Sequence, residues 1–210
     1  MARGRLISFE GGEGTGKSTQ AARLAKRLSD VGCEVVSTRE PGGSPGAEAI
    51  RDMLVRGEPD RWSPTSEALL LYAARSDHIE RLIAPALERG AIVVCDRFAD
   101  STRAYQGAAA SGPVGLIETL ETFVLGEIRP DITFILDLAA GTGLRRAAAR
   151  KNAETRFEAK GADFHRKLRE AFLAIAAAQP ERCVVIDASR SLSEVEAAIW
   201  ARTTERLAIS

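Results

Sequence analysis

The sequence predicts an α/β fold, a five-stranded parallel sheet with helices on both faces, in one domain spanning residues 1–210. Three observations predict it. Short, continuously apolar runs alternate with longer stretches of helical periodicity, as parallel βαβ units require. Runs such as Ala91-Ile92-Val93-Val94-Cys95 lack polar alternation, which suits strands covered on both faces. The chemically distinctive residues fall just after these runs, at the strand ends where open α/β sheets bind ligands.

Taken in order, Leu6-Ile7-Ser8-Phe9 reads as the first strand. Lys17 to Asp30 follows as a helix, with Ala21, Leu24, Ala25 and Leu28 at helical spacing. Glu34-Val35-Val36-Ser37 is the second strand. Thr65 to Arg89 carries Leu69, Leu70, Tyr72, Ala73, Ile79, Leu82 and Ile83, a long helical stretch that Pro85 bends. The third strand is Ala91 to Cys95, the fourth Ile132 to Leu138, and the fifth Cys183 to Ile186. There is no internal repeat and no low-complexity linker.

Composition narrows the function. The chain is 45% hydrophobic and 28% charged, as ordinary globular proteins are. Its 29 Lys and Arg balance 29 Asp and Glu, so no global field favours nucleic acid, although arginines can still gather in one cleft. Sparse aromatics, at 5%, weaken any reading built on base-stacking platforms along a strand. No apolar stretch is long enough for a membrane span, and no signal-peptide pattern is visible. Cys33, Cys95 and Cys183 lack metal-ligand spacing and read as small buried hydrophobes. A reducing, cytoplasmic setting is expected, with small-molecule partners and neither nucleic acid nor membrane.

The sharpest signal is Gly11-Gly12-Glu13-Gly14-Thr15-Gly16-Lys17-Ser18, a full match to G-x-x-x-x-G-K-[ST] between a predicted strand and a predicted helix. Glycines let backbone N–H groups turn inward around phosphate oxygens at the positive end of the helix. Lys17 is expected at the β- and γ-phosphates, and Ser18 on Mg²⁺. The guanine-reading Asn-Lys-x-Asp of GTPases is missing. The third strand ends Cys95-Asp96-Arg97, without the Asp-Glu pair of hydrolytic ATPases. An arginine in place of the water-activating carboxylate suits holding a second phosphate, which points to a transferase. Arg39, Arg51, Arg75 and Arg97 are spread over the middle of the chain. Arg145, Arg146, Arg150 and Arg156 cluster around Lys151-Asn152-Ala153-Glu154, in a polar segment, about 148–160, with the character of a mobile lid.

Gly12-Glu13-Gly14-Thr15-Gly16-Lys17-Ser18-Thr19, Thr38-Arg39-Glu40-Pro41-Gly42-Gly43, Tyr72-Ala73-Ala74-Arg75, Asp96-Arg97-Phe98 and Ser101-Thr102-Arg103-Ala104-Tyr105-Gln106-Gly107 together resemble bacterial thymidylate kinases. Arg129-Pro130-Asp131 and Ile186-Asp187-Ala188 continue the resemblance, which runs in order along essentially the whole chain. It implies the phosphate-loop nucleotide-kinase fold, the reaction ATP + dTMP ⇌ ADP + dTDP, Mg²⁺, and a homodimer. It implies ATP at Gly11 to Thr19, with Arg146 flanking adenine, and Asp96 orienting the Mg²⁺ shell. Arg97 would hold the acceptor phosphate in line, Glu13 would face the 3′-hydroxyl region, and Arg75 would donate to the thymine edge. Arg39 and Arg51 would line the same pocket, and Ser101, Tyr105 and Gln106 would close it. The loop has Lys17 as its only cation, so the charge of the transferring phosphoryl group would be met by the lid, from Arg150 and Arg156.

The chain departs from the family pattern in two places. The aromatic that stacks on thymine is replaced around Leu71 and Tyr72, with Tyr72 the expected partner. The stretch after Gly107 reads Ala108-Ala109-Ala110-Ser111-Gly112, without the arginine that many members carry. His78 and His165 read as surface or satisfied histidines. A kinase for another nucleoside monophosphate and a non-catalytic nucleotide-binding regulator are the alternatives.

Overall fold

The computed structural model describes residues 3–58, 60–149 and 156–208. Along it run β1 (Arg5–Glu10), α1 (Lys17–Asp30), β2 (Val35–Arg39), α2 (Pro45–Val55) and α3 (Pro64–His78). A π-helical segment (Ile79–Ile83), α4 (Ala84–Glu88), β3 (Ile92–Asp96), α5 (Ala99–Thr102) and a second π-helical segment (Arg103–Ala109) follow. The remainder is α6 (Val114–Leu125), β4 (Ile132–Asp137), α7 (Ala140–Ala148), α8 (Ala162–Ala178), β5 (Cys183–Asp187) and α9 (Leu192–Leu207).

All five strands are parallel, in the order β2-β3-β1-β4-β5. β1 is therefore central, and its side chains alternate between two cores. Ile7 and Phe9 pack with Leu24 and Leu28 of α1, Phe134 of β4 and Ile199 of α9. Leu6 turns the other way, to Val93, Tyr72, Ile83 and Leu125. Each such fully buried side chain contributes about 1.5–3 kcal/mol. A third cluster, with Tyr105, Phe172 and Cys183, joins α8 to the second π-helical segment.

Local chemistry sets the helix starts. Ser63 caps α3 by accepting from the Ser66 N–H, with Pro64 in the first turn. Ser191 and Glu194 form a capping box at the start of α9. The expected helix from Thr65 to Arg89 is divided by the π-helical segment Ile79–Ile83. Pro85 cannot donate to the Arg81 carbonyl, and the widened turn lies just before it. The second strand starts and ends later than expected, reaching Arg39 because the ladder with β3 continues to the pair Arg39 and Asp96. Cys95 and Cys183 are buried, Cys33 is half-buried, and all three are free. Among the described residues no helix is long and apolar enough to cross a membrane.

β1 and β3 end side by side, with Phe9 opposite Asp96, so the loops after them face one another. The site is built there.

Candidate active site

The phosphate loop leaves β1 and enters α1 with Gly11, Gly14 and Gly16 at φ of 132°, 67° and 93°. Gly14 has a second reason to be glycine, since a Cβ there would lie 2.0 Å from the Gly143 carbonyl oxygen. A Cβ on Gly143 would in turn lie 2.3 Å from the Glu13 carbonyl, so loop and α7 touch backbone to backbone. Lys17 is buried and folds back over the loop, its Nζ donating to the Gly12 carbonyl at 2.6 Å. Burial, reinforced by the neighbouring Arg97, lowers its pKa to about 8. Ser18 and Thr19 are exposed in the first turn of α1, where free N–H groups and the helix dipole favour an anion.

Arg97 follows β3 in the left-handed region, at φ 71°, a conformation that costs a non-glycine residue about 1–3 kcal/mol. Two sets of bonds hold it. Its own N–H donates to the Phe9 carbonyl at 2.9 Å. The buried Glu10 carboxyl accepts from the Phe98 N–H at 2.8 Å, the Ser101 N–H at 3.2 Å and the Ser101 hydroxyl at 2.5 Å. Burial and the nearby Asp100 push Glu10 up to about 8. So fixed, the Arg97 guanidinium donates to the Gly11 carbonyl (3.1 Å), Ser101 Oγ (3.1 Å), Glu13 Oε1 (3.0 Å) and Tyr105 Oη (2.9 Å). The Tyr105 hydroxyl donates onward to Glu13 at 2.6 Å. Burial alone would raise Glu13, but Arg97 and Lys17 outweigh it and bring the carboxyl down to about 2.

The opposite wall is made by α3 and the loop after β2. Arg75 is buried, its Nε donating to Glu40 Oε2 at 2.8 Å and its Nη2 to Thr102 Oγ1 at 3.2 Å. Burial would raise Glu40, yet Arg75 and His78 lower it. His78 Nδ1 lies 3.1 Å from Glu40 Oε1, and Nε2 lies 2.8 Å from Thr38 Oγ1. It is the satisfied histidine that the sequence suggested, not a surface one. Arg75 Nη1 has no partner although it is buried. A buried donor left unpaired costs about 1–3 kcal/mol.

Between these walls lies a cavity of about 220 Å³. Glu13, Gly14, Gly16, Lys17, Ser18, Asp96 and Arg97 line it on the phosphate-loop side. Arg39, Arg51, Leu71, Arg75, Ser101, Tyr105 and Gln106 line it elsewhere. Gly11, Gly12 and Thr15 border a smaller space behind the loop. Arg51 is steadied by donating to the Pro41 carbonyl at 2.7 Å, and Arg39 pairs with Glu48 at 3.1 Å.

Other expected residues sit elsewhere. Tyr72 is a core residue, 1% exposed, with its hydroxyl 3.4 Å from Glu121 and its ring 4.7 Å from the Arg75 guanidinium. Leu71, not Tyr72, faces the cavity. Arg146 donates to the Ala188 carbonyl at 3.1 Å, tying α7 to the end of β5. Arg156 is buried beside Glu67, while its neighbours Phe157 and Glu158 line the cavity. Arg150 lies outside the described residues.

A sequence model described as thymidylate kinase matches residues 9–199. The chain belongs to the thymidylate kinase family. It is 60% identical, over the full length of both chains, to the thymidylate kinase of Caulobacter vibrioides. It is 54% identical to that of Dinoroseobacter shibae, covering 96% of this chain and 97% of the relative. Among solved structures, thymidylate kinase from Ehrlichia chaffeensis superposes with a TM-score of 0.78 at 33% identity, covering 96% and 99% of the two chains.

As a member of the thymidylate kinase family the chain thus carries a loop with a single cation, Lys17, and a second cation, Arg97, held against it by Glu13. Sequence reasoning missed the carboxylates behind these arginines, Glu10, Glu40 and Glu67. It also missed Thr102, Phe98 and Phe157 on the cavity wall. Glu10 did leave a trace, as an acid closing an otherwise apolar strand.

Proposed function

We propose that the chain transfers the γ-phosphoryl group of ATP to dTMP, giving ADP and dTDP, with Mg²⁺. The observation that carries this reading is the cavity itself, which is lined by Lys17 and Arg97 of the phosphate-loop side and by Arg75, whose buried Nη1 has no partner. A nucleoside monophosphate offers an acceptor to each of these groups. Its phosphate would meet Arg97 beside the phosphate loop, and a base carbonyl would accept from Arg75.

In this reading Gly11 to Thr19 cradle the donor phosphates through backbone N–H groups. Lys17 leaves the Gly12 carbonyl to reach the β- and γ-oxygens. Arg97, aimed by its backbone and by Glu10, holds the acceptor phosphate in line. Glu13 and Tyr105, bonded to each other, form the sugar wall, where Tyr105 crowds a 2′-hydroxyl. Arg39, Arg51, Ser101 and Gln106 complete the acceptor side, with Leu71 as the apolar contact for the base. Arg146 flanks the adenine end.

The donor set suits Mg²⁺. Asp96 Oδ1 is buried with no hydrogen-bond partner, and no cluster of three metal-ligating side chains is found among the described residues. Magnesium commonly takes one or two protein oxygens and completes its shell with water and phosphate, which matches Asp96 and Ser18. Bound there, the ion would neutralise phosphate oxygens. A cytoplasmic homodimer is part of the same proposal. The exposed Phe123 (86%) and Val114 (53%) on α6 and Leu69 on α3 supply apolar surface for such contacts, and light scattering after size exclusion checks the mass.

The test is an acceptor panel. ADP formation is expected with dTMP, much less with dUMP, and little with CMP or AMP. Equal rates with all four would overturn the proposal.

A further inference from the structure

We propose that Arg156 is a positioning residue rather than the cation that meets the transferring phosphoryl group, and that its pair with Glu67 fixes the acceptor wall. The inference rests on the kinase reading above and deepens it. The Arg156 side chain is fully buried, and that of Glu67 is 1% exposed. Nη2 of Arg156 bonds Glu67 Oε1, Nη1 donates to the Leu54 carbonyl at 3.2 Å, and Nε donates to the Glu58 carbonyl at 2.9 Å. Leu54 lies in the last turn of α2, where carbonyls lack helical partners and the dipole is negative. Glu67 lies in the first turn of α3. The guanidinium therefore closes the junction between two helices, with a carboxylate of α3 on one side and, on the other, the Leu54 carbonyl at the end of α2 and the Glu58 carbonyl just beyond it.

The second Glu67 oxygen accepts from Gln106 Nε2 at 2.9 Å. A carboxylate paired with arginine is an acceptor, so the Gln106 amide is turned with its N–H₂ toward Glu67 and its oxygen away. Gln106 lines the cavity, and so its orientation there is set by Glu67 and, behind it, by Arg156. Phe157, next in the chain, also lines the cavity and packs edge-on against Tyr105, with ring centroids 5.7 Å apart. One buried ion pair thus holds two wall residues.

A phosphate-seeking role conflicts with this burial. Swinging Arg156 out would leave Glu67 charged, buried and without its cation, and would strip the Leu54 and Glu58 carbonyls of this donor. Losing one partner of a buried pair is strongly destabilising, whereas replacing both by apolar groups is often neutral. That asymmetry separates the roles.

The experiment is a double-mutant cycle on the full chain with Glu67→Leu, Arg156→Met and both together. The single variants are expected to lose stability. The double variant is expected to fold, keep kcat within about tenfold, bind ATP as the wild type does, and show a raised KM for dTMP. A folded double variant whose kcat falls by about 10³ or more would overturn the proposal, since that is the loss expected of a transition-state arginine. If the double variant does not fold, Glu67→Gln and Arg156→Lys decide. Both are expected to raise the KM for dTMP about tenfold with kcat largely kept. A normal Glu67→Gln enzyme beside an Arg156→Lys enzyme that loses kcat alone would overturn it. Failure of the dTMP reading itself shows earlier and separately, in the acceptor panel of the wild type.

Discussion

Replacing Lys17 by methionine should make the nucleotide-free protein more stable while destroying its use of ATP. Lys17 is 6% exposed, and its pKa falls from 10.5 to about 8 through burial and the proximity of Arg97. That drop is worth about 3 kcal/mol between the charged and neutral forms. Below pH 8 both the folded and the unfolded chain carry the charge, and the folded chain bears the full cost. Between pH 8 and 10.5 the folded lysine releases its proton first, so the cost fades as pH rises. Methionine removes the charge but also the 2.6 Å bond to the Gly12 carbonyl, which keeps the Thr15 hydroxyl at 3.1 Å, a loss of about 1–2 kcal/mol. The net gain at pH 7 is about 1–2 kcal/mol, which raises Tm by roughly 2–8 °C for a chain of this size. Thermal melts of wild type and Lys17→Met without nucleotide, at pH 7 and pH 9.5, make the measurement. Groups remote from Lys17 titrate alike in both proteins and drop out of the difference, which reports Lys17 together with the neighbouring Glu10. The gap should shrink or reverse at pH 9.5. A variant less stable at pH 7, or a gap that ignores pH, would refute the argument that the empty loop holds a charge awaiting phosphate.

Arg97→Ala should lower kcat by about 10³ or more while ATP affinity changes only a few-fold, because in the proposed reading it holds the acceptor phosphate while Lys17 and the loop N–H groups hold ATP; equilibrium ATP binding beside steady-state rates checks the split. Glu13 falls from 4.5 to about 2, so its contribution to stability is present above pH 4.5 and is lost as pH drops toward 2. Urea melts of Glu13→Gln should show a deficit of up to about 3 kcal/mol at pH 7 that narrows in acid. Leu71→Phe should lower the KM for dTMP several-fold, by about 0.5–1.5 kcal/mol of ring stacking, with the KM for ATP unmoved.

The sheet was legible because each strand is a run of apolar residues between helical patterns, and because β1 carries the phosphate loop directly at its end. The residues that face the cavity from α3 were harder. Leu71 and Tyr72 both stand within a turn of Arg75, so spacing to the arginine does not choose between them. The choice was nevertheless in the sequence. Ala68, Tyr72 and Ile79 form one stripe at helical spacing, and that stripe packs on the sheet. Tyr72 is drawn into the core by its neighbours, leaving Leu71 to the cavity. The Arg156 pair was not readable at all, because Glu67 lies 89 residues away. The same holds for Glu10, whose three donors come from residues 88 and 91 positions further on.

Those distant carboxylates change how the cleft's charge should be understood. Read along the chain, Arg75, Arg97 and Arg156 look like free cations waiting for phosphate. In the fold each has a carboxylate of its own, Glu40, Glu13 and Glu67. Charge pairing therefore extends into the site as well as over the surface, where pairs such as Lys26 with Asp30 are exposed. A paired arginine is fixed in place, and fixed donors cost no reorganisation when charge develops in front of them. It is also partly neutralised, so the pull on a nucleotide comes from what the pairs leave over: the Arg75 Nη1, the loop N–H groups and the buried charge of Lys17. Specificity should then follow the carboxylates as closely as the arginines, because moving Glu13, Glu40 or Glu67 redirects a donor without removing it.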